Sequence, residues 1–216
     1  MRSANKAAVE WPPMQRGLIG ILRGVQPPEV LAIGEALAEA GFGAIEVPLN
    51  SPEPFKSIEI LATALGGQAL IGAGTVLQAD DVDRLHAAGG RLMVSPNLDL
   101  SVLARCADSG MISMPGVFTP SEALSAIHAG ASALKFFPAS VLGPDGIKAI
   151  SAVLPKDTVM GAVGGVGLES FAAYAKAGVR HFGLGSNLYK PGDTAASVAQ
   201  RAAGMVQAYD TVIQAA

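Results

Sequence analysis

Short apolar runs alternate along this chain with amphipathic stretches, and one boundary recurs between them. A helical pattern ends at Ala-Gly or Ser-Gly, a strand of four to six residues follows, and Pro or Gly stops the strand. Glu39-Ala40-Gly41 precedes Ala-Ile-Glu-Val-Pro (44–48), and Ala88-Gly89 precedes Leu-Met-Val-Ser-Pro (92–96). Ser109-Gly110 leads into Met-Ile-Ser-Met-Pro (111–115), and Ala129-Gly130 into Ala-Leu-Lys-Phe-Phe-Pro (133–138). Ala177-Gly178 leads into His-Phe-Gly-Leu-Gly (181–185). Glycine after a helix supplies the left-handed residue that ends it and turns the chain.

Apolar runs at about 18–22, 69–74 and 158–163 complete eight strands. Helices are expected near 28–40, 52–65, 79–88, 99–109, 119–129, 143–153, 167–177 and 194–213. Regular β–α alternation implies a parallel sheet with right-handed crossovers. Eight such units predict an α/β fold, a single closed (β/α)8 TIM barrel over residues 1–216, with an open doubly wound sheet as the alternative. Residues 1–16 are expected to form an N-terminal extension or helix packing on the barrel.

Composition narrows the picture. Half of the 216 residues are hydrophobic and 15% are charged, which suits buried parallel sheet. A net charge of −3 with scattered cations gives no footprint for nucleic acid or an anionic membrane. Residues 60–79 carry no charge, but Gly66-Gly67 and Gly72-Ala73-Gly74 break the run into helix end, turn and strand. The N-terminus lacks the apolar core of a signal peptide, so a cytoplasmic protein is expected. Cys106 is the sole cysteine and reads as packing, and no His and carboxylate cluster has ligand spacing, so neither metal nor cofactor is expected.

Lys135 is the polar residue the pattern does not explain. Desolvating an ammonium inside an apolar strand is expensive and lowers its pKa, which makes the amine a nucleophile toward ketones. The alternative is a buried stem whose head snorkels to water. Sorting by position favours chemistry, because barrel active sites lie at the C-terminal ends of strands. Of seven lysines only Lys135 falls within a strand, and Glu46 is the only strand carboxylate. Their strands, the second and sixth, lie across the barrel, so both side chains can face one central volume; a buried ion pair is the alternative. Arg23 alone among the arginines follows a strand.

Two glycine clusters end the seventh and eighth strands, Ala162-Val163-Gly164-Gly165-Val166 and Gly183-Leu184-Gly185-Ser186. Loops at these two strands commonly bind phosphate through free backbone N–H groups. Thr75 adds a hydroxyl near the same mouth, and Phe137 is placed to wall the lysine pocket.

Five motifs in order carry a family resemblance: Glu-Val-Pro-Leu-Asn-Ser-Pro (46–52), Gly-Ala-Gly-Thr-Val-Leu (72–77), Ser-Pro-Asn (95–97), Ala-Leu-Lys-Phe-Phe-Pro (133–138) and Ala-Val-Gly-Gly-Val (162–166). From about residue 17 onward the chain resembles the 2-keto-3-deoxy-6-phosphosugar-acid aldolases. The resemblance implies a class I aldolase on a (β/α)8 barrel, a homotrimer, releasing pyruvate and glyceraldehyde 3-phosphate from a phosphosugar acid. It implies Lys135 as Schiff-base lysine and Glu46 as proton carrier. It places Arg23 and Thr75 at the substrate carboxylate, Gly164, Gly165, Gly185 and Ser186 at the phosphate, and Pro96 and Phe137 among the substrate-binding residues.

Gluconate-type members carry Glu-Val-Thr-Leu-Arg-Thr after the second strand, with that Arg on the carboxylate. Here Pro48 and Asn50 replace the Thr and the Arg, which is similar to the galactonate branch. The gluconate isomer and 4-hydroxy-2-oxoglutarate remain alternative substrates. A phosphosugar isomerase or epimerase barrel, and a non-catalytic phosphosugar-binding barrel, are the readings outside the aldolases.

Overall fold

A computed structural model describes residues 9–214. Nine parallel strand segments form one sheet: β1 Leu18–Ile21, β2 Ala44–Pro48, β3 Leu70–Gly74, β4 Leu92–Val94, β5 Ile112–Met114, β6 Gly116–Val117, β7 Leu134–Phe136, β8 Met160–Val163 and β9 His181–Leu184. Their order is β5-β4-β3-β2-β1-β9-β8-β7-β6. Since β5 runs into β6 through Pro115, the two ends of this order are one stretch of chain, and the sheet is a nearly closed barrel. Proline explains the split. It has no N–H for the ladder, so Ile112–Met114 pairs with β4, Gly116–Val117 pairs with β7, and Pro115 O accepts the Lys135 amide at 3.0 Å. The eight expected strands are therefore present, one of them in two pieces.

Eight helices alternate with the strands: α1 Pro27–Ala40, α2 Pro54–Leu65, α3 Ala79–Ala87, α4 Leu100–Asp108, α5 Pro120–His128, α6 Ala139–Ser151, α7 Phe171–Lys176 and α8 Ala195–Gln214. The punctuation read from sequence is local chemistry. Gly41 ends α1 at φ 96°, with its amide on Ala38 O. Asp99 caps α4 by accepting from the Ser101 and Val102 amides, and Thr119 and Glu122 form a capping box at α5. Two helices depart from expectation. α6 begins four residues early and is broken at Gly143, ahead of Pro144. The helix expected from 167 starts as a 3-10 turn, Leu168–Ser170, before α7.

The core has two parts. Ile45, Val47, Leu134 and Phe136 belong to the large cluster between sheet and helices, whereas Ile19, Ala44, Leu92, Val94, Met114 and Ala133 fill the barrel interior. Strand alternation then fixes the next inward positions: Glu46 lies one step above Ala44, and Lys135 one step above Ala133.

The N-terminal end is plugged by the chain before β1. Residues 9–16 form no helix; residues 1–8 lie outside the described residues. Trp11 and Met14 pack against the interior cluster, and Trp11 Nε1 donates to His181 Nε2 at 2.9 Å. Arg16 grips Asp210 of α8 with two hydrogen bonds, at 2.7 and 2.8 Å. Arg91 and Arg180 bond backbone carbonyls before β4 and β9, at this end of the barrel and away from the strand C-termini.

Candidate active site

Lys135 and Glu46 are the only Lys, Arg, Asp or Glu residues inside strands among the described residues. Lys135 is 6% exposed, and burial pushes its ammonium well below the usual lysine range, against the opposing pull of Glu46. Its Nζ lies 4.8 Å from the centre of the Phe137 ring. Glu46 is 2% exposed, and burial raises its carboxyl from 4.5 to about 7, although Lys135 and Arg23 pull it down. Each group feels the other's charge, yet no ion pair joins them, and Glu46 Oε2 has no hydrogen-bond partner. A structural ion pair would have closed that gap. Two unpaired titratable groups, shifted toward neutrality in one barrel, are an acid–base arrangement instead.

Backbone geometry makes room for the carboxylate. A Cβ on Gly74 would stand 1.7 Å from Glu46 Oε2. The next residue, Thr75, holds φ 56°, a left-handed conformation that costs a non-glycine residue roughly 1–3 kcal/mol. Its Oγ1 lies 3.4 Å from Arg23 Nη2, while Arg23 Nη1 donates to Asn50 Oδ1 at 2.5 Å.

Arg23, Phe137, Gly164, Gly165, Gly185 and Ser186 line a cavity of about 160 Å³ at the strand C-termini. Phe137 is shared by this cavity and the Lys135 amine. Gly164 and Gly165 have φ of 91° and 73°, and a Cβ on Gly165 would meet Ser140 at 2.5 Å. Gly185 opens a helical turn whose carbonyl accepts the Leu188 and Tyr189 amides, leaving those of Ser186 and Asn187 with no acceptor among the described residues. Free amides at a helical start favour an anion. The structure thus brings Arg23 together with the four residues expected at the phosphate. Thr75 joins them through Arg23. Pro96 stands apart, its carbonyl against Gly116, and does not line the cavity.

The model of the family described as KDPG and KHG aldolase matches residues 15–200. The chain belongs to the KDPG and KHG aldolase family. It is 59% identical over 204 residues to a probable 2-dehydro-3-deoxy-6-phosphogalactonate aldolase of Rhizobium meliloti, covering 94% of this chain and 96% of that one. It is 48% identical over 197 residues to the 2-dehydro-3-deoxy-6-phosphogalactonate aldolase of Escherichia coli, covering 91% and 96%. A solved structure described as native KDPGal superposes with a TM-score of 0.92 at 47% identity, covering 95% of this chain and 99% of that one. The protein is an aldehyde-lyase of this family.

Several features of this aldolase were not assigned from its sequence. Gly74 reads there as part of a turn-like Gly-Ala-Gly, and its steric role appears only with Glu46 beside it. Asn50 reads there as a replaced residue, and its bond to Arg23 appears only in the fold. Asn187 Nδ2 donates to Val166 O at 3.0 Å and ties the two glycine loops together. A larger cavity, about 520 Å³, lies behind Gly165 and Asn187 against α8 and contains neither Lys135 nor Glu46. Among the described residues no helix is long and apolar enough to cross a membrane.

Proposed function

We propose that this protein is a class I aldolase that reversibly cleaves 2-dehydro-3-deoxy-6-phosphogalactonate to pyruvate and D-glyceraldehyde 3-phosphate. The observation that carries the chemistry is the buried, unpaired Lys135 amine in the same barrel interior as Glu46. A depressed ammonium pKa leaves a neutral amine to attack the C2 ketone, and loss of water gives an iminium. Glu46, directly or through one water, takes the C4 hydroxyl proton. The C3–C4 electrons move into the iminium, glyceraldehyde 3-phosphate departs, and an enamine remains. Protonation at C3 and hydrolysis then release pyruvate and free Lys135. A carboxyl near 7 is suited to both accepting and returning a proton.

In this reading Arg23 and Thr75 hold the carboxylate end, with Pro96 and Phe137 flanking the pyruvyl group. Gly164, Gly165, Gly185 and Ser186 hold the phosphate. Arg23 also lines the cavity of those loops, which gives it reach toward both anions. The galactonate configuration rests on the two relatives at 59% and 48% identity and on Pro48 and Asn50. Cleavage rates on the two C4-epimeric phosphosugar acids test it: the galactonate epimer is expected to react faster, and equal or reversed rates contradict the assignment.

The assembly is proposed to be a homotrimer. Leu77, Leu100, Phe118 and Val141 are exposed and follow β3, β4, β6 and β7, neighbours around the barrel, so that side offers apolar side chains for subunit contact. A phosphorylated substrate, which does not cross membranes unaided, agrees with a cytoplasmic location.

A further inference from the structure

The turn that carries Arg23 is held from two sides. Ser51 Oγ accepts the Gly24 amide at 2.9 Å, and Pro191 packs so closely that a Cβ on Gly24 would stand 2.8 Å from its Cγ. These contacts fix the backbone. The guanidinium itself is exposed, and an unrestrained arginine loses considerable rotamer entropy on binding an anion. What restrains it is Asn50, whose Oδ1 accepts Nη1 at 2.5 Å; the Thr75 contact, at 3.4 Å, is much weaker. Among the described residues Nε has no acceptor and is left for a ligand.

Asn50 is itself exposed, and among the described residues its side chain bonds Arg23 alone. It contributes nothing to the core. Its amide oxygen supplies an acceptor for Arg23 Nη1.

We propose that Asn50 is a positioning residue that parks the Arg23 guanidinium across the mouth, so that the anionic substrate meets it already oriented. The inference rests on the aldolase reading and deepens it. Preorganisation acts on binding: it spares the substrate the cost of immobilising Arg23 and leaves the Lys135 and Glu46 chemistry alone.

Asn50→Leu keeps the volume and removes the acceptor; Asn50→Ala is the second variant should leucine perturb the loop. In steady-state cleavage of the phosphosugar acid, each is expected to raise KM about tenfold with kcat within about twofold. In an Arg23→Gln background, which has nothing left to position, Asn50→Leu is expected to add no further change. A purely structural Asn50 would lower thermal stability and change KM by the same factor in both backgrounds. An unchanged KM, or equal factors in both backgrounds, overturns the proposal while the aldolase reading stands. A wild-type protein that cleaves no phosphosugar acid overturns both.

Discussion

Glu46 Oε2 occupies the space that a side chain on Gly74 would fill, 1.7 Å from the position of its Cβ. A methyl group there forces the carboxylate to rotate, and misplacing a catalytic group by about 1 Å can cost 10²-fold. Gly74→Ala is expected to lower kcat for cleavage about 100-fold. Covalent capture of pyruvate by Lys135 should stay within a few-fold, because the atoms nearest to that Cβ all belong to the Glu46 carboxylate. Single-turnover trapping beside steady-state rates separates the two effects. A kcat within twofold of wild type would show that Glu46 tolerates displacement.

Glu46 titrates at about 7 in the fold and near 4.5 when unperturbed, so it retains a proton in the native state where the unfolded chain has lost it. Its contribution to stability is therefore fully present below about 4.5 and is lost as pH rises through about 7. Glu46→Gln should be the more stable protein above pH 7, by about 1–3 kcal/mol, and should lose most turnover. The rise of kcat/KM through pH 7 that belongs to Glu46 should vanish with it. Urea denaturation and a pH–rate profile check both signs.

Much of this was legible in the sequence because barrel grammar is local. Gly41 and Gly130 mark helix ends through their own left-handed backbone, and Lys135 and Glu46 stand out as charges in apolar strands. Interruptions that depend on pairing were harder to read. Pro115 splits a strand only because its two halves pair with different neighbours, and Gly143 breaks α6 inside an otherwise helical run. In the candidate site, single residues with a chemical signature can be picked out from sequence. Residues whose role is to shape or aim another, Gly74 for Glu46 and Asn50 for Arg23, cannot, because that relation exists only once β1, β2 and β3 lie side by side.

At the other end of the barrel, burial lowers His181 from 6.5 to about 4, and the Trp11 N–H requires its Nε2 to be unprotonated. The unfolded chain binds this proton first. Stability from His181 is therefore present above about 6.5 and lost as pH falls toward 4, by up to about 3 kcal/mol. Between pH 5 and 6.5 Glu46 contributes the opposite slope, so the test is made in Glu46→Gln, where adding His181→Leu should flatten urea-denaturation stability. An unchanged slope would mean that other groups carry the acid sensitivity.

Gly165 combines φ 73° with Ser140 at 2.5 Å from its missing Cβ, so Gly165→Ala must reshape the loop. Ser186→Ala is milder, removing a hydroxyl beside a free amide. Both should raise KM for the phosphorylated substrate, about 10- to 100-fold for Gly165→Ala and less for Ser186→Ala. An unphosphorylated analogue should be cleaved as slowly by the variants as by wild type. Equal losses on both substrates would place the phosphate elsewhere.

The central claim is that the Lys135 amine forms an imine. Borohydride reduction in the presence of pyruvate, followed by peptide mapping, tests it most directly. The account predicts a single reduced pyruvyl adduct on Lys135, absent from Lys135→Met and retained in Glu46→Gln. An adduct on another lysine, or none under conditions where the protein cleaves its substrate, would contradict it.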